Sequence, residues 1–264
     1  MKKREIPQKY KSRLRLRLVL SVLVLAVAVI RCIRGDYYSV FLCALTLALF
    51  DIPAFVNKRL NIELPNMLEV IILLFIFAAE ILGEIGSFYT YIPWWDTMLH
   101  TINGFLMAAI GFSLVDILNQ NPKIGVNLSP LFVALVAFCF SMTVGVVWEF
   151  FEYNADLIAK TDMQKDFIIK SISSVALNPD GVNDPVKISN ITDTVIHYIK
   201  NGEQLEYVIN GGFLDIGIND TMKDLIVNCI GAVTFSVFGY LYLITRGKTK
   251  KWVKWFIPSK KKKE

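Results

Sequence analysis

The sequence predicts an all-α integral membrane bundle of about six transmembrane helices, with a small mixed extracytoplasmic insert before the last helix. Three observations predict it. Residues of the set Ala, Val, Ile, Leu, Met, Phe, Trp, Tyr and Cys make up 54% of the 264-residue chain, and the mean hydropathy is +0.48, high for a soluble domain. These residues gather in blocks close to the roughly 20 that a helix needs to cross about 30 Å of hydrocarbon. The bases concentrate at the two ends of the chain, as in cytoplasmic flanks.

Six stretches qualify, approximately Leu16–Ile33, Tyr38–Val56, Met67–Leu82, Met98–Leu118, Leu128–Phe150 and Met222–Thr245. Backbone groups in lipid need partners within their own segment, so each is expected to be a helix. The first has a second reading, because bases up to Arg17 followed by an apolar run to Ala26-Val27-Ala28 also resemble a signal peptide. The spans downstream make an uncleaved helix the expectation. The resulting plan is a basic N-terminus (1–15), five spans (16–154), an extracytoplasmic segment (155–220), a sixth span (222–245) and a basic tail (246–264).

Orientation follows from Lys and Arg in alternate loops. With the N-terminus inside, the inner segments hold eight (1–17), two (Lys58, Arg59), one (Lys123) and nine (246–264), a total of 20 against eight outside. Both termini are therefore expected in the cytoplasm. The net charge of +5 has the pattern of membrane flanks, and no interleaved aromatic and basic patch points to nucleic acid. The partner expected is the bilayer itself, with anionic headgroups at the tail, where Trp252, Trp255 and Phe256 alternate with lysines. Cys32, Cys43, Cys139 and Cys229 lie in or beside apolar stretches without a CxxC pair, so neither a zinc ribbon nor a disulfide framework is indicated.

In the segment before the last span, Ile191, Val195, Ile196 and Ile199 have helical spacing and predict a helix over Ile191–Lys200. Gln204–Ile209 and Gly211–Ile216 read as short strands. His197 falls in that expected helix, without the convergent company of the other candidates, and is assigned to the surface or to local packing.

Charged residues inside membrane helices cost on the order of 2.5–3.5 kcal/mol each, so their positions carry information. Glu80 and Glu84 lie four apart near the end of the third stretch. Asp96 and His100 form one stripe at the start of the fourth, Glu149, Glu152 and Asp156 close the fifth, and Asp220, Asp224 and Asn228 open the sixth. The alternating topology puts all four stripes at the outer membrane face. Gathered carboxylates in a partly dry site need compensation, and a divalent cation supplies it. Carboxylates with one imidazole suit Mg²⁺, Mn²⁺, iron or zinc. Candidate ligands are His100, Glu149, Glu152, Asp220 and Asp224, with Asp96 and His100 as candidate catalytic groups and Glu80 and Asn228 in support. Acids at helix ends also serve as caps, which is the plain alternative for Glu84, Asp96, Asp156 and Asp220.

The blocks Trp95-Asp96-Thr-Met-Leu-His100-Thr-Ile-Asn-Gly104, Trp148-Glu149-Phe-Phe-Glu152 and Leu214-Asp215-Ile-Gly-Ile-Asn-Asp220-Thr-Met-Lys-Asp224 resemble the YjdF-like family of bacterial inner-membrane proteins, and more distantly VanZ-like proteins. The resemblance implies a multi-pass protein of the bacterial plasma membrane, without an established activity. Three functions compete: a metal-dependent enzyme acting on a lipid or lipid-linked substrate, a cation-binding transporter or sensor, and a scaffold whose polar stripes fasten helices together. No Walker loop, HExxH pair or nucleophile motif narrows the choice.

Overall fold

The computed structural model describes residues 8–59, 62–119, 127–245, 256 and 259–260. Two compact units emerge, Met1–Val146 with Asp224–Glu264 and, separately, Val147–Lys223.

The first unit is helical. Helix α1 (Gln8–Ile33) begins well before the apolar run, because lysine and arginine are good helix formers and extend it into the basic flank. The second stretch forms α2 (Tyr37–Leu49) and α3 (Ile52–Arg59), divided at Phe50–Asp51. Pro53 explains the division. A continuous helix would need its N–H for the carbonyl of Leu49, whereas the first turn of a new helix has no use for that donor. Asp36 caps α2, accepting from the Ser39 N–H at 3.1 Å and its hydroxyl at 2.6 Å. Those Ser39 bonds, with Arg31 nearby, hold the Asp36 carboxyl below its ordinary value.

After the two-residue strand β1 (Ile62–Glu63), the third stretch is α4 (Asn66–Ile76), which runs directly into a π-helical segment, Phe77–Ile85. Together 66–85 falls within the roughly 17–25 residues of a spanning helix. Polar contacts at both ends of α1 fix its neighbours' directions. Arg13 pairs with Glu69 at the start of α4, and Arg17 with Asp51 just beyond α2. At the other end, Arg31 Nη2 donates to the carbonyl of Ile85 at 2.9 Å. Hence α1 and the α4 rod run the same way, with α2 opposed.

A short turn of helix, α5 (Phe88–Tyr91), precedes α6 (Trp95–Asn119). Helix α7 (Pro130–Ala159) and, much later, α8 (Ile218–Ile244) complete the long helices. Among the described residues, five helical segments are by themselves long and apolar enough to cross a membrane: Arg13–Ile33, Tyr37–Arg59, Trp95–Asn119, Pro130–Ala159 and Ile218–Ile244. The chain is a helical membrane protein with a small strand insert before its last helix. The first unit's core joins Val24, Phe50, Leu68, Leu73, Phe112 and Phe235, all essentially fully buried. Trp252 and Trp255 of the basic tail lie outside the described residues. Phe256 stands edge-on to Phe105, 5.6 Å between ring centres, and β8 (Ser259–Lys260) pairs antiparallel with β1.

The second unit is built on the far end of α7 and the first residues of α8. Three antiparallel pairs lie in the chain between them: β2 (Ile168–Ile169) with β7 (Phe213–Leu214), β3 (Ser171–Ser174) with β4 (Val186–Ser189), and β5 (Asp193–Lys200) with β6 (Glu203–Asn210). The helix expected over Ile191–Lys200 is strand β5. Its Thr, Val and Ile residues favour extended backbone. Asn201 and Gly202, at φ 54° and 86°, make the tight two-residue turn that returns it along β6. His197 faces Glu206 across this hairpin at 3.1 Å.

Candidate functional site

Helices α6 and α8 lie side by side and run in the same direction. His100 faces Asp224, Gly104 faces Asn228, the Phe105 and Phe235 rings meet at 5.1 Å, and Phe112 covers Gly239. Glycine permits the approach. A Cβ at Gly104 would be driven into the carbonyl of Asn228. One at Gly231 would press on the carbonyl of Thr101 and stand 2.9 Å from the Phe105 nitrogen. Small residues of this kind let membrane helices pack backbone to backbone. Helix α7 runs opposite to both. Its Ser141 hydroxyl donates to the Gly104 carbonyl at 2.7 Å, and Gly145 leaves room for the Asn228 amide.

This close packing brings three polar side chains together. Asp96 lies in the first turn of α6 and His100 in the next, and Asp224 joins them from α8. His100 Nε2 stands 3.5 Å from Asp96 Oδ1 and 3.8 Å from Asp224 Oδ2. One ligand atom from each of the three lies within 4.8 Å of the others. His100 and Asp224 are buried and Asp96 is half-buried. Ligands about 2.1 Å from one cation stand roughly 3.4 Å apart in a tetrahedral arrangement, so the two His100 distances suit a shared ion. One turn deeper, Asn228 receives a hydrogen bond from Asn103 Nδ2 at 3.4 Å and directs its own amide toward Met142 Sδ at 3.6 Å. Asn228 thus fastens three helices just below the cluster.

Glu80 lies half-buried and Glu84 exposed on the π-helical segment, outside the group of three. The remaining acids expected at the site belong to the second unit. Glu149 and Glu152 are buried on α7, and the Trp148 indole donates to Glu152 at 2.8 Å. Asp156 and Asp220 are held by backbone donors. Asp156 accepts from the N–H groups of Met163 and Gln164 at 2.7 and 2.8 Å and from the Thr161 hydroxyl. Asp220 accepts from the N–H of Lys165 at 2.9 Å, with Lys223 at 3.6 Å from its other oxygen.

A third aspartate, Asp215, which was not among the residues expected at the site, completes this arrangement. Asp215 accepts from the N–H of Phe167 at 2.7 Å and of Asn219 at 2.9 Å, and from the Asn219 side-chain amide. Burial pushes its carboxyl up, but these donors together outweigh burial and leave it below the ordinary value. Asp166 moves the other way, raised by burial and by the negative charge of Asp162, Asp215 and Asp156. The available signal for Asp215 was an acid within a few residues of the start of α8, where N–H groups of the first turn, here that of Asn219, await an acceptor.

No curated protein and no solved structure matches the chain. Nothing in the comparisons carries the more distant VanZ-like resemblance. The family model that matches does so over residues 15–245, from the start of the first span to the end of the last, and it is the family to which the YjdF-like resemblance pointed. The chain belongs to the family described as Predicted membrane protein (DUF2238).

Proposed function

We propose that this membrane protein binds a divalent cation through Asp96, His100 and Asp224 and uses it on a lipid or lipid-linked substrate. The convergence of these three side chains, from helices far apart in the sequence, carries the proposal. With both basic termini in the cytoplasm of a bacterial cell, the cluster belongs to the outer side of the plasma membrane.

A divalent ion held there supplies Lewis acidity toward a phosphoryl or acyl oxygen. The chain's own part is positional. His100 presents an imidazole nitrogen between two carboxylates, of which Asp96 is the more accessible. The Asn228 contacts and the glycine-lined crossing hold α6 and α8 in register, which keeps Asp224 opposite His100.

One alternative has its own support in the same distances. A protonated His100 between Asp96 and Asp224 makes an ion-paired clamp that only fastens α6 to α8.

Metal analysis of the purified full-length protein, after equilibration with Mg²⁺, Mn²⁺, Fe²⁺ or Zn²⁺, separates the two. The proposal expects one cation per chain, lost in His100→Ala and in Asp224→Asn while helical content is retained. Metal-free wild type that melts lower in both variants identifies the clamp and overturns the cation site. If metal binds, release of product from lipid-linked phosphates is the expected activity.

A further inference from the structure

The lipid-facing sides of α7 and α8 do not stop where the membrane should. At 1.5 Å per residue, the 30 residues of α7 and 27 of α8 are about 45 and 40 Å long, against about 30 Å of hydrocarbon. About twenty residues counted from Pro130 reach 150, and the same length counted back from Ile244 reaches 225. The α8 stripe of exposed apolar residues nevertheless continues unbroken through Ile230, Ile226, Met222 and Ile218. On α7 the exposed residues Phe150 and Tyr153 lead on to Leu157, with Ile158 beside it 76% exposed. Ile216, just before α8, is 85% exposed. Both helix ends belong to the Val147–Lys223 unit.

We propose that these ends are seated in the headgroup layer of the adjacent leaflet, so that the Val147–Lys223 unit is a membrane-surface unit rather than one held clear in water. The occupant is argued from continuity. The apolar stripe of each span passes into the protruding turns on the same helical face, at three- and four-residue spacing, and the bilayer already covers the lower part of each. Exposed Trp148 and Tyr153 stand near the level where α7 leaves the hydrocarbon, as interfacial aromatic residues do. Residues 147–223 include twelve acidic against six basic side chains. The seat is therefore apolar, and anionic headgroups do not strengthen it. It does not depend on the cation site.

The test uses full-length protein with its four cysteines replaced, a single cysteine at Ile158 or Ile218 carrying an environment-sensitive fluorophore, and phosphatidylcholine vesicles. An Ile199→Cys label on the β5–β6 hairpin is the reference, being 78% exposed but on no spanning helix. At 158 and 218 we expect blue-shifted emission and quenching by lipid spin-labelled near the headgroup, since an interfacial face lies about 5–10 Å into the headgroup–acyl boundary. The label at 199 stays in water. Quenching should persist at high lipid-to-protein ratio and without anionic lipid. Water-like, unquenched labels at 158 and 218 overturn the proposal. So does shielding from water without lipid quenching, or shielding that fades on dilution, which would identify a protein partner or a second copy instead.

Discussion

Replacing Gly231 by alanine tests the helix crossing on which the cluster depends. Intrinsic propensity favours the change, since alanine stabilises a helix interior by roughly 1 kcal/mol over glycine. Packing opposes it. The new methyl would stand 2.9 Å from the Phe105 nitrogen and closer still to the Thr101 carbonyl oxygen. Ordinary contact is nearer 3.5–4.0 Å, so α6 and α8 must part by on the order of 1 Å. Neither obstacle is a flexible side-chain tip, and overpacking of this kind costs about 1–3 kcal/mol. Because both obstacles are backbone, the cost falls at the upper end of that range and outweighs the propensity gain, leaving a net loss of about 2 kcal/mol. The assay is reversible unfolding in mixed micelles, with Thr234→Ala, on an exposed face of α8, as the control expected near zero. Since Asp224 lies two turns away on the same helix, its 3.8 Å approach to His100 should also lengthen and cation binding weaken. Gly231→Ala as stable as the wild type would refute the close-packed crossing.

Asn228→Leu should cost about 0.6–1.7 kcal/mol in the same unfolding assay, from the average to the largest value found for interhelical hydrogen bonds in a membrane protein, and an unchanged midpoint would deny Asn228 its fastening role. Asp215→Asn turns an acceptor toward two N–H groups into a donor on one side, and should cost the second unit about 1–3 kcal/mol. Faster hydrogen exchange of the Phe167 amide reports it. Because the folded Asp215 carboxyl stands below its unfolded value of about 3.9, its contribution is complete above that value. It fades as pH falls through the lower folded one. An exchange rate at Phe167 with the same pH profile in wild type and Asp215→Asn would contradict this.

The spans were legible because lipid imposes one rule, that every backbone group be paired within its own segment, and that rule leaves long apolar runs. What it leaves open is how a run is divided. Pro53 breaks the second span between α2 and α3, and could have been read from its missing donor. Nothing comparable marks the switch to π-helix at Phe77. Outside lipid the same periodicity misled. Ile191, Val195, Ile196 and Ile199 have helical spacing, yet the Asn201-Gly202 turn immediately after β5 decides for a hairpin. Within the candidate site, Asp96, His100 and Asp224 were visible as ionisable residues placed inside apolar runs. Asp156 and Asp220 looked similar, and the N–H groups they accept from lie on a loop whose path no local pattern specifies. Asp215 escaped notice for the same reason.

The loop held by those three aspartates places its constraints unevenly. Met163, Gln164, Lys165 and Phe167 are fixed through their main-chain nitrogens, which nineteen of the twenty amino acids supply in common. Proline alone is forbidden at these four positions for want of a donor, while two side chains carry further contacts, the Gln164 amide donating to the Thr221 hydroxyl and the Phe167 ring lying 5.7 Å from the Lys223 ammonium. The acceptors have no such latitude, because a carboxylate with two receptive oxygens has no close substitute. Most of the information about the loop's path is thus stored outside the loop, on α7, on α8 and just before it.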